Sequence, residues 1–103
     1  MQNLKLQVLW LDDSLGLAVN QKTPESLVPL TSYYFWPVSE AWEQIRFELD
    51  AKPWIPEEER VRLLNSIVEV MKKWQKSRAI PNGKTNIQYA DITTDNVTVV
   101  GLP

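Results

Sequence analysis

The sequence predicts an α+β fold: a single small domain in which an antiparallel sheet carries two helices on one face. Three observations lead there. Residues 4–20 alternate with a period of two, the mark of strands. Two central stretches switch to the 3.6-residue period of amphipathic helices. β-branched residues then return near the C-terminus, from Val97 to Val100. A bare hairpin is barely stable in water and two helices cannot cover themselves, so sheet and helices must bury one another.

Taken in order, Leu4, Leu6, Val8 and Trp10 form one wholly apolar set, expected to face the core. The opposite set is Lys5, Gln7, Leu9 and Leu11, whose far end turns apolar and is expected to be covered too. Asp12, Asp13 and Ser14 are turn formers, so residues 4–20 read as a β-hairpin turning near Asp13-Ser14. The polar, proline-bearing QKTPESLVP reads as a loop. The β-branched and aromatic LTSYYFW predicts a third strand over 30–36, closed by Pro37. Alternation sends Tyr33 and Phe35 one way, Tyr34 and Trp36 the other.

Ser39 is placed to N-cap a helix over 39–51, with Glu40 at its positive end. Its stripe is Ala41, Trp42, Ile45 and Leu49; Arg46 can pair with Glu43 and Asp50, and Phe47 falls off the stripe. KPWIP forces an extended corner. Pro56 then starts a second helix over 56–78, with Glu57, Glu58 and Glu59 in the first turn and the stripe Val61, Leu64, Ile67, Val68, Met71 and Trp74. Trp10, Trp42 and Trp74 lie on inward faces of three elements and are expected to form the core. PNG makes a turn, and a C-terminal strand is expected over 97–100.

Composition narrows the chemistry. The 103-residue chain is 44% hydrophobic and 23% charged, an ordinary globular balance. With no cysteine there are no disulfides, thiolate nucleophiles or cysteine-bound metals. Without histidine it lacks the side chain best suited to proton transfer near neutral pH. Enzymes without both exist, built on carboxylates or lysines, but no spacing here predicts such a site or a metal. No apolar run approaches the ~20 residues that span a bilayer, and strand-like alternation begins almost at Met1, so neither membrane insertion nor a leader or transit peptide is expected.

Net charge is -2 and the pI near 5.1, which argues against a protein held on nucleic acid by its overall field. The charge is nevertheless polarised. Residues 40–59 hold seven acids and two bases, whereas Lys72, Lys73, Lys76, Arg78 and Lys84 follow one another with no acid between them. Those five are candidate contacts for phosphates; a solvated helix end favoured by the dipole is the plainer reading. Asp12-Asp13 and Glu57-Glu58-Glu59 read as turn and helix-start signals, and Gly16 as a bulge or a close contact. Both faces of the third strand carry aromatics. Either the sheet is covered on both sides, or some of these rings form a surface patch.

VLWLDDSLGLAVNQ, PLTSYYFWPVSEAWEQI, KPWIPEEERVRLLN and VMKKWQ, in that order from about Leu6 to Gln75, resemble the plastid-specific 30S ribosomal protein 3 family of chloroplasts and cyanobacteria. That family's pattern is a VLWLD-type hairpin, PLT-S-Y-F-F-W-P, D/E-A-W-E, K-P/H-W-I and a helix ending in W-Q; the closing VTVVG is also similar. Val38 stands where the pattern has arginine, and residues 76–96 fall outside it, so the cluster from Lys76 to Lys84 rests on physics alone. The resemblance implies a non-catalytic structural component of the small ribosomal subunit, partnered by rRNA and neighbouring ribosomal proteins, with no catalytic residue, no cofactor and no small-molecule substrate. It implies the cyanobacterial cytoplasm or, for a plastid-encoded copy, the stroma. On this reading Tyr34, Trp36 and Phe47 face a partner, and Lys72, Lys73, Lys76 and Arg78 meet RNA phosphates. The alternative is a non-ribosomal adaptor or regulator using the same aromatic patch, through which the free protein could also self-associate weakly.

Overall fold

A computed structural model describes residues 4–78 and 97–100. Strands β1 (Leu4–Trp10) and β2 (Leu15–Lys22) form the expected hairpin, paired from Leu4↔Gln21 to Trp10↔Leu15, with the Leu11 N–H donating to Ser14 O at 3.1 Å across the turn. The register is continuous at Leu9↔Gly16, so Gly16 marks a close contact and not a bulge.

The stretch expected as a loop and a single third strand divides differently. β2 turns into β3 (Leu27–Pro29) through a tight corner in which Thr23 N–H donates to Ser26 O at 2.8 Å. β4 (Tyr34–Trp36) then pairs with the other end of β2, Leu15↔Trp36 to Leu17↔Tyr34. Between Asn20↔Pro29 and Leu17↔Tyr34, two residues of β2 face four residues, 30–33. Thr31 makes that mismatch tolerable: its buried hydroxyl accepts the Val19 N–H at 3.0 Å and donates to Ser32 O at 2.8 Å. A side chain there replaces a ladder partner. Because the excess is two residues, alternation is preserved across the break.

Helix α1 (Ala41–Asp50) begins without a side-chain cap; Glu40 holds the N-cap position. Ser39, the expected cap, turns back instead, its Oγ lying 2.9 Å from Phe35 O and 2.9 Å from Gln44 Oε1. Ala41, Ile45 and Leu49 are fully buried, with Trp42 packed at the margin. Helix α2 (Glu57–Arg78) buries Leu63, Leu64, Ile67, Val70 and Trp74, a stripe rotated from the expected one. Val61 is 48% exposed, and Leu63 and Val70 take the inward places. Both helices lie on one face of the sheet, over Leu4, Leu6, Val8, Trp10, Leu15, Leu17 and Val19.

One feature of the sheet is not antiparallel. β5 (Val97–Val100) pairs with β1 in parallel, Leu6↔Val97 to Leu9↔Val100. The direction of α2 does not by itself require it. Buried Glu59, near its start, accepts the Leu4 N–H at 3.2 Å, while Trp74, near its end, donates Nε1–H to Leu11 O at 3.0 Å. α2 thus runs alongside β1 and in the same sense. A short turn after α2 would deliver an antiparallel strand. The 18 residues from 79 to 96 can reach, at roughly 3.3 Å each, well beyond the ~33 Å of α2, and so permit the parallel return that crossovers require.

Candidate functional site

The register decides which aromatics are covered. Leu15 and Leu17 point into the core, so their cross-strand partners Trp36 and Tyr34 point there too. Trp36 meets Trp74 edge-on, with ring centroids 5.7 Å apart at 71°. Tyr34 donates its hydroxyl to Glu48 Oε2 on α1. That bond, then burial and then the Glu48 charge push the Tyr34 phenol above its ordinary pKa. These two rings, expected to face a partner, are instead half-buried against the core, because α1 follows β4 immediately and folds over that side.

Phe47, by contrast, stands 76% exposed on α1. Tyr34 and Phe47 nevertheless line one shallow groove of about 340 Å³ with Glu43, Gln44 and Glu48. Trp36 is not among its lining residues. A second open groove, of about 740 Å³, follows the flank of α2 past Glu57, Glu58, Val61, Arg62, Asn65, Ser66 and Glu69, and contains none of the expected site residues.

Of the basic candidates, Lys72 and Lys76 are exposed one turn apart on α2, and Lys73 is half-buried beside them. Arg78 is the last residue of α2, and Lys84 lies outside the described residues. This end of the helix reaches the turn end of the hairpin, whereas the acidic end lies near the start of β1. Lysines here sit at the negative pole of the helix, where the dipole favours them.

Four residues carry more than their sequence positions suggested. Glu59 was read only as a helix-start signal, but it ties α2 to the first strand. Trp54, in the corner between the helices, is 60% exposed. Tyr33 and Phe35 lie on the face of the sheet that the helices leave open. Only alternation hinted at the last pair, and alternation does not say which face is open.

Among the described residues no three His, Cys, Asp or Glu side chains converge to hold a metal, and no helix is long and apolar enough to cross a membrane. The arrangement offers surfaces for docking, one basic and one acidic and aromatic.

Comparison with known proteins gives these surfaces a context. Residues 30–77 match the family described as plastid and cyanobacterial ribosomal protein (PSRP-3 / Ycf65). A probable small ribosomal subunit protein cS23 of Synechococcus sp. (strain JA-3-3Ab) is 42% identical over 89% of this chain and 94% of its own length. The small ribosomal subunit protein cS23 of Gracilaria tenuistipitata var. liui is 40% identical over 73% of this chain and 76% of its own. That of Euglena viridis is 41% identical over 73% and 74%.

Proposed function

Because the chain belongs to the plastid and cyanobacterial ribosomal protein family, we propose that it is a non-catalytic structural constituent of the small (30S) ribosomal subunit, in the cytoplasm of a cyanobacterium or the stroma of a plastid. The observation that carries this reading is the 42% identity to a cyanobacterial cS23 protein along nearly the whole of both chains.

Two contacts follow from the surface chemistry. Lys72, Lys73, Lys76 and Arg78, with Lys84 beyond them, meet rRNA phosphates at the basic end of α2. Phe47 and the accessible edge of Tyr34 form the aromatic contact with a neighbouring ribosomal protein, and the outer rim of Trp36 adjoins it. An acidic protein docks in this divided way because its overall field opposes wholesale phosphate neutralisation, whereas a local cluster still gains from releasing counterions.

Co-sedimentation of the tagged protein with ribosomal subunits from its own cells, across a salt series, tests the reading. The expected result is migration with the small subunit, with the combined variant Lys72→Ala, Lys73→Ala, Lys76→Ala and Arg78→Ala released at lower salt. A wild-type protein that stays at the top of the gradient at low salt would refute the ribosomal reading and favour an adaptor acting elsewhere. Wild-type migration with an unaffected variant would remove the basic contact and leave the aromatic one. Phe47→Ala should weaken migration while leaving the stability of the free protein within about 0.5 kcal/mol, as for an exposed side chain.

A further inference from the structure

The sheet has a second face, and its chemistry differs from everything on the helix side. Strand alternation places Lys5, Gln7 and Leu9 of β1 on it, with Gly16, Ala18, Asn20 and Lys22 of β2 and Phe35 of β4. No helix covers this face among the described residues. Its charged strand positions are Lys5 and Lys22, and none is a carboxylate. The helix layer, by contrast, begins with Glu43, Glu48, Asp50, Glu57 and Glu58 before its basic end.

The aromatics on this face gather over Gly16. A Cβ at Gly16 would meet Phe35 Cε1 at 3.0 Å and Tyr33 Cδ1 at 3.3 Å, so both rings rest on the bare backbone of that glycine. Tyr33 and Phe35 sit side by side, centroids 6.2 Å apart and ring planes within 29°. Tyr33 is pinned in place, its hydroxyl accepting from Gln7 Nε2, and Gln7 in turn accepts from Asn20 Nδ2 at 2.9 Å. The result is a pair of nearly parallel rings over Gly16, bordered by side-chain amides, with lysines on the same face.

We infer that this open face binds a single-stranded or looped segment of RNA, with bases stacked on Phe35 and Tyr33 and phosphates met by Lys5 and Lys22. Flat rings on a sheet offer the stacking platform that unpaired bases take, and every base has a π-face to offer. Amides next to the rings can bond to base edges. Described strand positions whose only charges on this face are lysines attract phosphate, while the acids at the start of the helix layer on the far side repel it and orient the approach. The face also carries the apolar Leu9, Leu27, Pro29 and Val100, but a protein partner is less well matched, since lysines do not offer the opposite charge that a basic ribosomal neighbour would need. The inference rests on the ribosomal reading for its RNA, but the face itself can be tested apart from the ribosome.

The probe is a fluorescently labelled single-stranded oligouridylate, titrated with the full-length protein and followed by anisotropy at several salt concentrations. Wild type should bind with an affinity that falls with salt, and Phe35→Ala should weaken it roughly tenfold, as the loss of one stacked base would. Phe35→Tyr, which keeps the ring, should bind as wild type does. Lys22→Glu changes an exposed position away from the core, so it tests the electrostatic half without risk to folding. It too should weaken binding several-fold and flatten the salt dependence. Absence of binding by wild type, or equal binding by Phe35→Ala and Lys22→Glu, would overturn the inference. If these two variants bind the oligonucleotide normally yet leave the small subunit at lower salt than wild type does, the face is a protein contact and the inference is likewise wrong. Failure of the ribosomal reading would be seen separately, as wild type that does not sediment with the subunit.

Discussion

The two faces of one sheet, built from the same strands, behave as different materials. On the helix side most strand positions are aliphatic or tryptophan, with Tyr34 and Gln21 as exceptions: Leu6, Val8, Leu15, Leu17 and Val19 have no accessible surface, and Trp10 retains 4%. On the open side, positions one residue away carry amides, lysines, a glycine and two flat rings. The first face is held by volume and burial, the second by a short polar chain from Asn20 through Gln7 to Tyr33. A period of two separates the sets cleanly, yet they differ in burial because, among the described residues, only one face has helices to bury against.

The comparison is most easily broken at its most buried point. Leu17→Ala should cost about 2–5 kcal/mol in urea denaturation, since a fully enclosed leucine leaves a cavity. Leu9→Ala, on the open face and half-buried, should cost under ~1.5 kcal/mol. Equal losses would mean that the open face is as enclosed as the core.

Gly16→Ala should come next, at about 1–3 kcal/mol, because its new Cβ would stand 3.0 Å from both Leu9 Cβ and Phe35 Cε1. Leu9 Cβ is fixed by its own backbone, so the adjustment falls on the rings. The same variant should lose RNA affinity by tilting the platform; unchanged stability and unchanged binding would show that the rings move freely.

The smallest effect is expected from Tyr34→Phe, at the rim between the faces. The phenol of Tyr34 is raised above its ordinary value of about 10, first by donating to Glu48. A raised group stabilises the fold fully below the unfolded-state value, and that contribution is lost as pH rises through the higher folded-state value. Tyr34→Phe should therefore be slightly less stable near neutrality and show a shallower loss of stability in alkali. Parallel alkaline curves for the two proteins would show that the Glu48 contact contributes nothing.

Much of this was legible in the residues themselves. The hairpin from Leu4, its inward set, the α1 stripe of Ala41, Ile45 and Leu49, the exposure of Phe47 and the Arg46 pairs with Glu43 and Asp50 at 3.7 and 3.8 Å all follow from local periodicity and spacing. The family also followed from the order and spacing of short motifs, each a contiguous run of residues. The α2 stripe was less legible. Val61 and Leu63 satisfy a helical pattern almost equally, and only contact with the sheet chooses between them.

What the chain alone determined is therefore local: which residues alternate, which form helices, and that lysines collect after Val70 while acids collect before it. What the tertiary structure decided is relational. Register turned Tyr34 and Trp36 inward and Tyr33 and Phe35 outward; β5 paired with β1 in parallel although α2 already runs along β1 in that sense; Thr31 absorbed two extra residues beside Val19; and Glu59 became a buried partner of Leu4. Each of these joins residues far apart in the chain, and their choice depends on which surfaces can be buried together, a quantity no single segment contains.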